Sequence, residues 1–206
     1  MKNLERFMGK AITELVANKV EVRLEPKEKV VFDKNDHIGC GGFFNEDPLV
    51  LSVGIGKPVE RWAPIFIHEY CHFRQWVEKE PKYIALYRDD KPDIDEVVNE
   101  WLEGQRRVRK RDITKYINMI RRMELNCEKR AVKLIRRHRI GINLKDYIRD
   151  ANAYMYFHSV MLQQKSWYKI SPLLIKELVA MMPDHFLQSY TRVPKKVEEL
   201  MIERCF

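Results

Sequence analysis

The sequence is poor in cysteine, and its few cysteines do not form pairs. Cys40, Cys71, Cys127 and Cys205 lie far apart, and no two of them form a CxxC motif. This spacing indicates neither a disulfide framework nor a zinc ribbon. Free thiols are typical of a reducing compartment, so we expect a cytoplasmic protein.

Long apolar runs are also lacking. No stretch approaches the roughly 18 apolar residues that cross a membrane, and the opening segment, MKNLERFMGK, has no apolar core of the kind found in signal peptides. There is no internal repeat, low-complexity tract or separating linker. Because 206 residues are enough to bury a core, we expect a single domain over residues 1–206 that has no membrane partner.

Acidic residues are too few to balance the basic ones, and the net charge is +8. Much of the excess lies in RRVRKR at 106–111 and in RRHR at 136–139. A basic balance favours association with nucleic acid or with an acidic protein partner. Basic runs beside helices are more often solvated surfaces than binding sites, so the charge alone identifies no partner.

The hydrophobic pattern predicts an α+β protein that is mostly helical. The β-like stretches VEVRL, KVVF and PLVLSVGIG all fall between residues 20 and 56. Between them, HIGCGGFFNEDP at 37–48 is rich in glycine and predicts a loop, in which we expect His37 and Cys40 to form a turn and bind no ligand. Helical spacing of apolar residues predicts helices at 3–18, 60–79, 93–103, 112–139, 144–165, 172–182 and 194–204.

The most informative stretch is IFIHEYCHFRQW at 65–76, which contains the motif HEYCH. Residues i and i+4 project from one helix face, so His68 and His72 can both bind one metal ion. Glu69 lies beside them, where a carboxylate can hold and deprotonate a water molecule. The flanking residues are apolar, as expected for a buried helix. We therefore predict a zinc site, with a purely structural histidine pair as the alternative.

A third ligand is expected, because catalytic zinc usually has three protein ligands and one open position. At 100° per residue, the apolar stripe of the helix at 112–139 contains Glu124 in its middle and Glu128 near its edge. A carboxylate in a buried stripe is costly unless it is paired or binds a metal. We predict Glu124 as the third ligand, with a buried ion pair as the alternative. Glu128 either holds a ligand histidine through its second ring nitrogen or replaces Glu124 as the ligand.

HEYCH followed by a helical ELNCE at 124–128 is similar to the zincin metallopeptidases, in particular to the gluzincin arrangement. The resemblance implies a zincin-like fold in which a small N-terminal β-sheet packs on the active-site helix and a helical bundle follows. Its edge strand would line the substrate cleft, and PLVLSVGIG is the candidate for that strand. The resemblance also implies that His68, His72 and Glu124 bind Zn²⁺, that Glu69 is the general base and that Glu128 is a supporting acid.

Two features depart from the usual gluzincin pattern. Residues 73–123 place 51 residues between His72 and Glu124, so an additional helix must intervene, and Glu128 stands where aspartate is usual. A short chain with HExxH and no second domain also resembles the metallopeptidase-like proteins of tailed bacteriophages. The cytoplasm would then be that of a bacterium or of an infected host.

The predicted function is zinc-dependent hydrolysis of peptide bonds in a peptide or protein substrate. Such chemistry needs a group that stabilises the oxyanion. Tyr154 and His158, four residues apart in the helix at 144–165, are the candidates for this catalytic role. Aromatic residues and a histidine on one helix face are more commonly part of the core.

Three other functions fit parts of the sequence. The first is a non-catalytic protein in which zinc braces the fold and basic helices bind nucleic acid or an acidic partner. Structural sites usually have four protein ligands, however, and no need of Glu69. The second is a DNA-associated protease similar to the SprT-like group, whose third histidine and cysteine ribbon this chain lacks. The third is a scaffold without metal.

Overall fold

The structure, a computed structural model, describes residues 2–31, 39–87 and 93–206, so the predicted turn at His37 lies outside the described residues. The predicted class, α+β and mostly helical, is confirmed. In chain order the elements are α1 (Lys2–Ala17), β1 (Glu21–Glu25), β2 (Gly42–Glu46), β3 (Leu49–Gly54), α2 (Val59–Val77), α3 (Pro81–Ile84), α4 (Ile94–Leu102), α5 (Lys110–Arg137), α6 (Leu144–Gln164), a 3-10 turn (Pro172–Leu174), α7 (Lys176–Ala180) and α8 (Lys195–Cys205).

The chain divides into two compact units. The first contains Met1–Glu78 and Cys127–Ile142, and the second contains Lys79–Asn126 and Asn143–Phe206. Helix α5 therefore contributes its first part to the second unit and its last part to the first. Among the described residues, no helix combines the length and the apolar character that a membrane span requires. The single domain over 1–206 stays a prediction.

The sheet of the first unit has the strand order β1-β3-β2. Strand β1 is parallel to β3, and β2 is antiparallel to it. The central strand β3 is buried from Val50 to Gly54, which explains its near-continuous apolar sequence. Helix α1 packs against β1, and α2 packs against β2 and β3. The sheet thus forms the surface on which α2 rests.

Two expectations for this sheet are wrong. Strand β2 lies within 37–48, which the glycines indicated to be a loop. A Cβ at Gly42 would lie 2.9 Å from the Ser52 carbonyl oxygen and 2.8 Å from Ile65, so this glycine permits close packing of strand and helix and does not mark a turn. In addition, β3 is central, so PLVLSVGIG is not the edge strand that the resemblance implied; β1 and β2 form the edges of the described sheet.

Helix α2 is held in the first unit by apolar and charged contacts. Phe66, Ile67 and Phe73 are fully buried, and the rings of Phe44 and Phe73 meet edge to face at 5.9 Å. Arg74 near the end of α2 forms an ion pair of 2.8 Å with Glu14 of α1. Because burial holds the middle turns of α2 and an aromatic contact and a charge pair hold its C-terminal end, the side chains of the middle turns have defined positions.

The second unit is organised around α6, of which no residue from Tyr147 to Leu162 is exposed. The 3-10 turn, α7 and α8 all pack on it. A single helix was expected at 172–182, but Ile175 adopts an extended conformation and divides the segment into the 3-10 turn and α7. Helix α3 was not predicted, because four residues are too few for a periodic signal.

Buried polar groups attach the irregular segment 183–191 to α6. Asn152, which is fully buried, donates hydrogen bonds to the carbonyl oxygens of Pro183 (2.8 Å) and His185 (2.9 Å). The Asn152 Oδ1 atom accepts a hydrogen bond from the Tyr190 hydroxyl. The Tyr190 carbonyl oxygen in turn accepts hydrogen bonds from Ser159 and from the buried Arg121. One side chain thus satisfies three groups of a segment that has no helix or strand of its own.

We expect Asn152→Leu to lower the free energy of unfolding by about 2–4 kcal/mol, because two interior carbonyl oxygens lose their donor and the Tyr190 hydroxyl loses its acceptor. Asn99→Leu is the matched control, since Asn99 is exposed and accepts one hydrogen bond, from Trp167. Urea denaturation followed by circular dichroism measures both variants. An equal loss of unfolding free energy in the two variants would contradict the assigned role of Asn152.

Candidate metal centre

His68 and His72 lie side by side on α2, as their i, i+4 spacing requires. Their ring centroids are 4.6 Å apart, and the rings are nearly perpendicular, at 80°. The two Nε2 atoms face each other at 2.9 Å. The histidines therefore present one pair of converging nitrogens and do not diverge into separate environments.

The opposite ring nitrogens contact oxygen atoms of two other side chains. The His68 Nδ1 atom lies 3.1 Å from Oε1 of Glu128 on α5. The His72 Nδ1 atom lies 2.9 Å from Oε1 of Gln75, one turn further along α2. Both partner atoms can accept a hydrogen bond, so a neutral ring that carries its proton on Nδ1 donates to its partner and keeps an unshared electron pair on Nε2.

Two unshared electron pairs that face each other at 2.9 Å repel unless a cation or a proton lies between them. Nitrogen ligands of zinc are neutral imidazoles whose other N–H donates to a carboxylate or carbonyl group. His68 with Glu128 and His72 with Gln75 both match that arrangement. The donor set present thus fits Zn²⁺.

The surroundings of the two histidines are unusually polar for the interior of a protein. Glu69 is 8% exposed, His72 9%, Glu128 7% and Gln75 0%. Buried polar groups are costly unless they bind one another or an ion. Glu69 follows His68 directly on α2, so the carboxylate predicted to act as a base lies on the same turn as the converging nitrogens. Gln75 and Glu128 contact the two histidines directly, so buried polar groups join α2 to α5 at this point.

Cys127 belongs to the same cluster. It is completely buried, and its Sγ atom lies 3.2 Å from the His68 carbonyl oxygen and 3.7 Å from the His68 Nδ1 atom. One ligand atom each from His68, His72 and Cys127 lie within 4.8 Å of one another. The thiol is thus a further soft donor near the histidines, and sequence reasoning assigned it no role.

The two acids of α5 differ from the expected pattern of burial. Glu128, expected near the edge of the apolar stripe, is buried and contacts His68. Glu124 belongs to the second unit and is half-buried, although its Oε2 atom is in the interior. On one helix, residues four apart share a face, so Glu124 follows the same face of α5 as Glu128. Glu128 contacts His68, while its role and the ligand role of Glu124 stay predictions.

His158 and Tyr154 lie in the core of the second unit. Burial lowers the pKa of His158 to about 4, although the negative charge of Glu124 and the hydrogen bond to Tyr154 raise it. The His158 Nδ1 atom lies 2.9 Å from the Tyr154 carbonyl oxygen and therefore donates to it. Its Nε2 atom can then only accept a hydrogen bond at neutral pH. Tyr154 is half-buried, and its ring meets the His158 ring at 4.8 Å.

Gln75 is the functional candidate that sequence reasoning missed, because a glutamine one turn beyond a histidine is indistinguishable from a packing residue in the sequence. Its position on the buried side of α2 was the available signal, since an uncharged amide on that side must find a hydrogen-bond partner. Cys127 gave a weaker signal, since a single cysteine in an apolar stripe is usually a small apolar residue.

Comparison of the chain with protein-family models, with curated proteins and with solved structures finds no match. The functional assignment therefore depends on the residues and geometry described above.

We expect Gln75→Leu to weaken zinc binding by roughly 10- to 100-fold, because the His72 ring loses the acceptor that fixes its orientation and tautomer. His72→Ala should abolish tight binding altogether. His185→Ala is the control, since His185 is exposed in the second unit. Competition with a chromogenic chelator gives the affinities. Equal zinc affinity of Gln75→Leu and the unaltered chain would remove Gln75 from the site.

Proposed function

We propose that this chain is a zinc metallopeptidase of the zincin type, acting in the cytoplasm on peptide or protein substrates. The observation that carries the proposal is the convergence of two Nε2 atoms at 2.9 Å, each ring being held at Nδ1 by an oxygen acceptor. A pair of histidines that only fills space would also need an acceptor for each ring N–H, but it would not need two Nε2 atoms that converge. The HEYCH spacing adds a carboxylate at the position where zincins have their base.

In this proposal His68, His72 and Glu124 hold Zn²⁺. When bound, Zn²⁺ would act as a Lewis acid that makes water nucleophilic near neutral pH and polarises the substrate carbonyl group. Glu69 accepts the proton from the attacking water and then transfers it to the leaving amine.

The supporting residues act through the histidines. Glu128 orients His68, and Gln75 orients His72, so each ligand ring is fixed in the tautomer that leaves Nε2 available. Of the two oxyanion candidates, the proposal favours Tyr154. A hydroxyl group can donate a hydrogen bond to a developing negative charge, whereas His158 carries its proton on the nitrogen that already donates to Tyr154.

Cys127 supports a second candidate function, a non-catalytic zinc protein. A thiol near two histidines is a donor set typical of structural zinc. In that case zinc would brace the first unit, and the basic helices would bind an acidic protein partner or nucleic acid. The first candidate is preferred, because a structural site has no use for the buried Glu69.

We expect Glu69→Gln to bind zinc as tightly as the unaltered chain and to lower kcat/KM for peptide hydrolysis on the order of 10²- to 10⁴-fold. The substitution keeps the size of the side chain but removes the proton acceptor. Glu60→Gln is the matched control, since Glu60 is an exposed acid on the same helix. Cleavage of a pooled peptide library, read by mass spectrometry, measures activity. Equal cleavage by both variants would exclude Glu69 from the mechanism, and no cleavage by the unaltered zinc-loaded chain would favour the non-catalytic candidate.

The third ligand is identified by replacing zinc with Co²⁺, whose absorption spectrum reports the donor atoms. We expect a four-coordinate cobalt spectrum without a thiolate-to-metal charge-transfer band, because Glu124 and not Cys127 completes the set. Glu124→Ala should abolish tight binding, whereas Glu128→Ala should weaken it roughly 10- to 100-fold. A charge-transfer band that Cys127→Ala removes would reassign the third ligand to Cys127. Loss of tight binding in Glu128→Ala alone would reassign it to Glu128.

A further inference from the structure

A groove of about 460 Å³ lies in the second unit, between the end of α3, the helix α4 and the first turns of α5. None of the residues assigned above to zinc or catalysis lines it. Its floor is aliphatic and consists of Leu86, Ile94, Val97, Val108 and Met119. A groove of this size accepts a few apolar side chains.

The rim of the groove carries four cationic side chains. Arg106 and Arg109 are partly neutralised by ion pairs, with Glu100 at 2.9 Å and with Asp112 at 2.6 Å. Arg107 and Lys115 are exposed, and neither forms an ion pair with any acid among the described residues. Within the part of the chain that the structure describes, no acid neutralises their positive charge.

The positive charge continues from the rim along α5. Arg111, Lys115 and Arg122 are spaced at i, i+4 and i+11, so they follow one exposed face of the helix. A second, shallower depression is lined by the same three cations, Arg111, Lys115 and Arg122. It adjoins the groove, because Lys115 and Met119 line both. The groove and this face therefore form one surface, with an aliphatic floor and a cationic border.

The cations at the start of α5 are placed unfavourably for the helix itself. Lys110 and Arg111 belong to its first turn, where the aligned peptide dipoles already produce a positive potential. Asp112 is the acid of that turn. Carboxylates bound to the rim would relieve this repulsion. The placement thus favours an anionic ligand, and the floor requires that ligand to carry apolar groups.

We propose that this groove binds an acidic segment of a partner protein, a segment in which aliphatic side chains alternate with aspartate or glutamate. Nucleic acid fits less well. Proteins that bind single strands stack the bases on aromatic side chains, and the described lining contains one aromatic residue, Tyr116, among aliphatic ones. The aliphatic side chains of the segment fill the floor, and its carboxylates pair with Arg107 and Lys115. The site goes beyond the proposed peptidase activity and does not depend on it.

The test uses the full chain and a fluorescein-labelled peptide of acidic residues that contains two leucines, with binding measured by fluorescence anisotropy. Arg107→Glu combined with Lys115→Glu should weaken binding at least about tenfold, because two attractive contacts become repulsive. The matched control is Lys133→Glu combined with Arg136→Glu, which reverses two exposed cations of α5 that do not line the groove. The control should leave the affinity within about twofold.

A second pair of measurements distinguishes the contribution of the apolar floor to binding from the contribution of charge. Replacing the peptide leucines by serine should weaken binding to the unaltered chain. In Met119→Gln, the affinities of the leucine peptide and the serine peptide should become nearly equal. Circular dichroism verifies that each variant is folded; if the charge-reversed pair is not, Arg107→Gln with Lys115→Gln takes its place. Three results would each overturn the proposal. The first is an equal loss of peptide affinity in the rim and control variants, and the second is an equal affinity for the leucine and serine peptides. The third is tighter binding of a single-stranded oligonucleotide of equal charge.

Discussion

The facing Nε2 atoms of His68 and His72 are the constraint on which the first unit depends. At this distance either one Nε2 atom carries a proton that the other accepts, or a cation lies between the two rings, since a fully protonated pair would repel as two cations. The remaining polar residues follow from this requirement. Glu128 and Gln75 fix the tautomers, the apolar residues of α2 hold the helix against the sheet, and burial keeps water from replacing these contacts. Removal of any of these groups therefore acts on the two histidines.

The features that could be predicted from the sequence are those that a single helix determines. The spacing of His68 and His72 gives their shared face directly, because four residues make slightly more than one turn. The same local periodicity gave the bounds of α1, α2, α4 and α6 to within a few residues. For Glu128, contact with one of the two histidines was one of two roles that the sequence left open, because its position near the edge of the apolar stripe of α5 does not decide between them.

The features that could not be predicted arise from contacts between segments distant in the sequence. Gly42 favours a turn by its own conformational freedom, and only its approach to Ser52 and Ile65 explains why it lies in a strand. Gln75 acquires a role from the rotation of the His72 ring, which the helix period does not determine. The central position of β3 depends on pairing with strands on both sides, and an apolar run is equally compatible with a central or an edge position.

The absence of exposed residues from Tyr147 to Leu162 of α6 has a consequence for how this protein diverges during evolution. A surface helix such as α5 has an exposed side on which substitutions accumulate at little cost in stability. From Tyr147 to Leu162, α6 offers no such side, and its polar residues are each bound to a particular neighbour. Sequence drift is therefore expected to be slowest along this helix. A distant relative could differ in its surface charge throughout and still carry a recognisable α6.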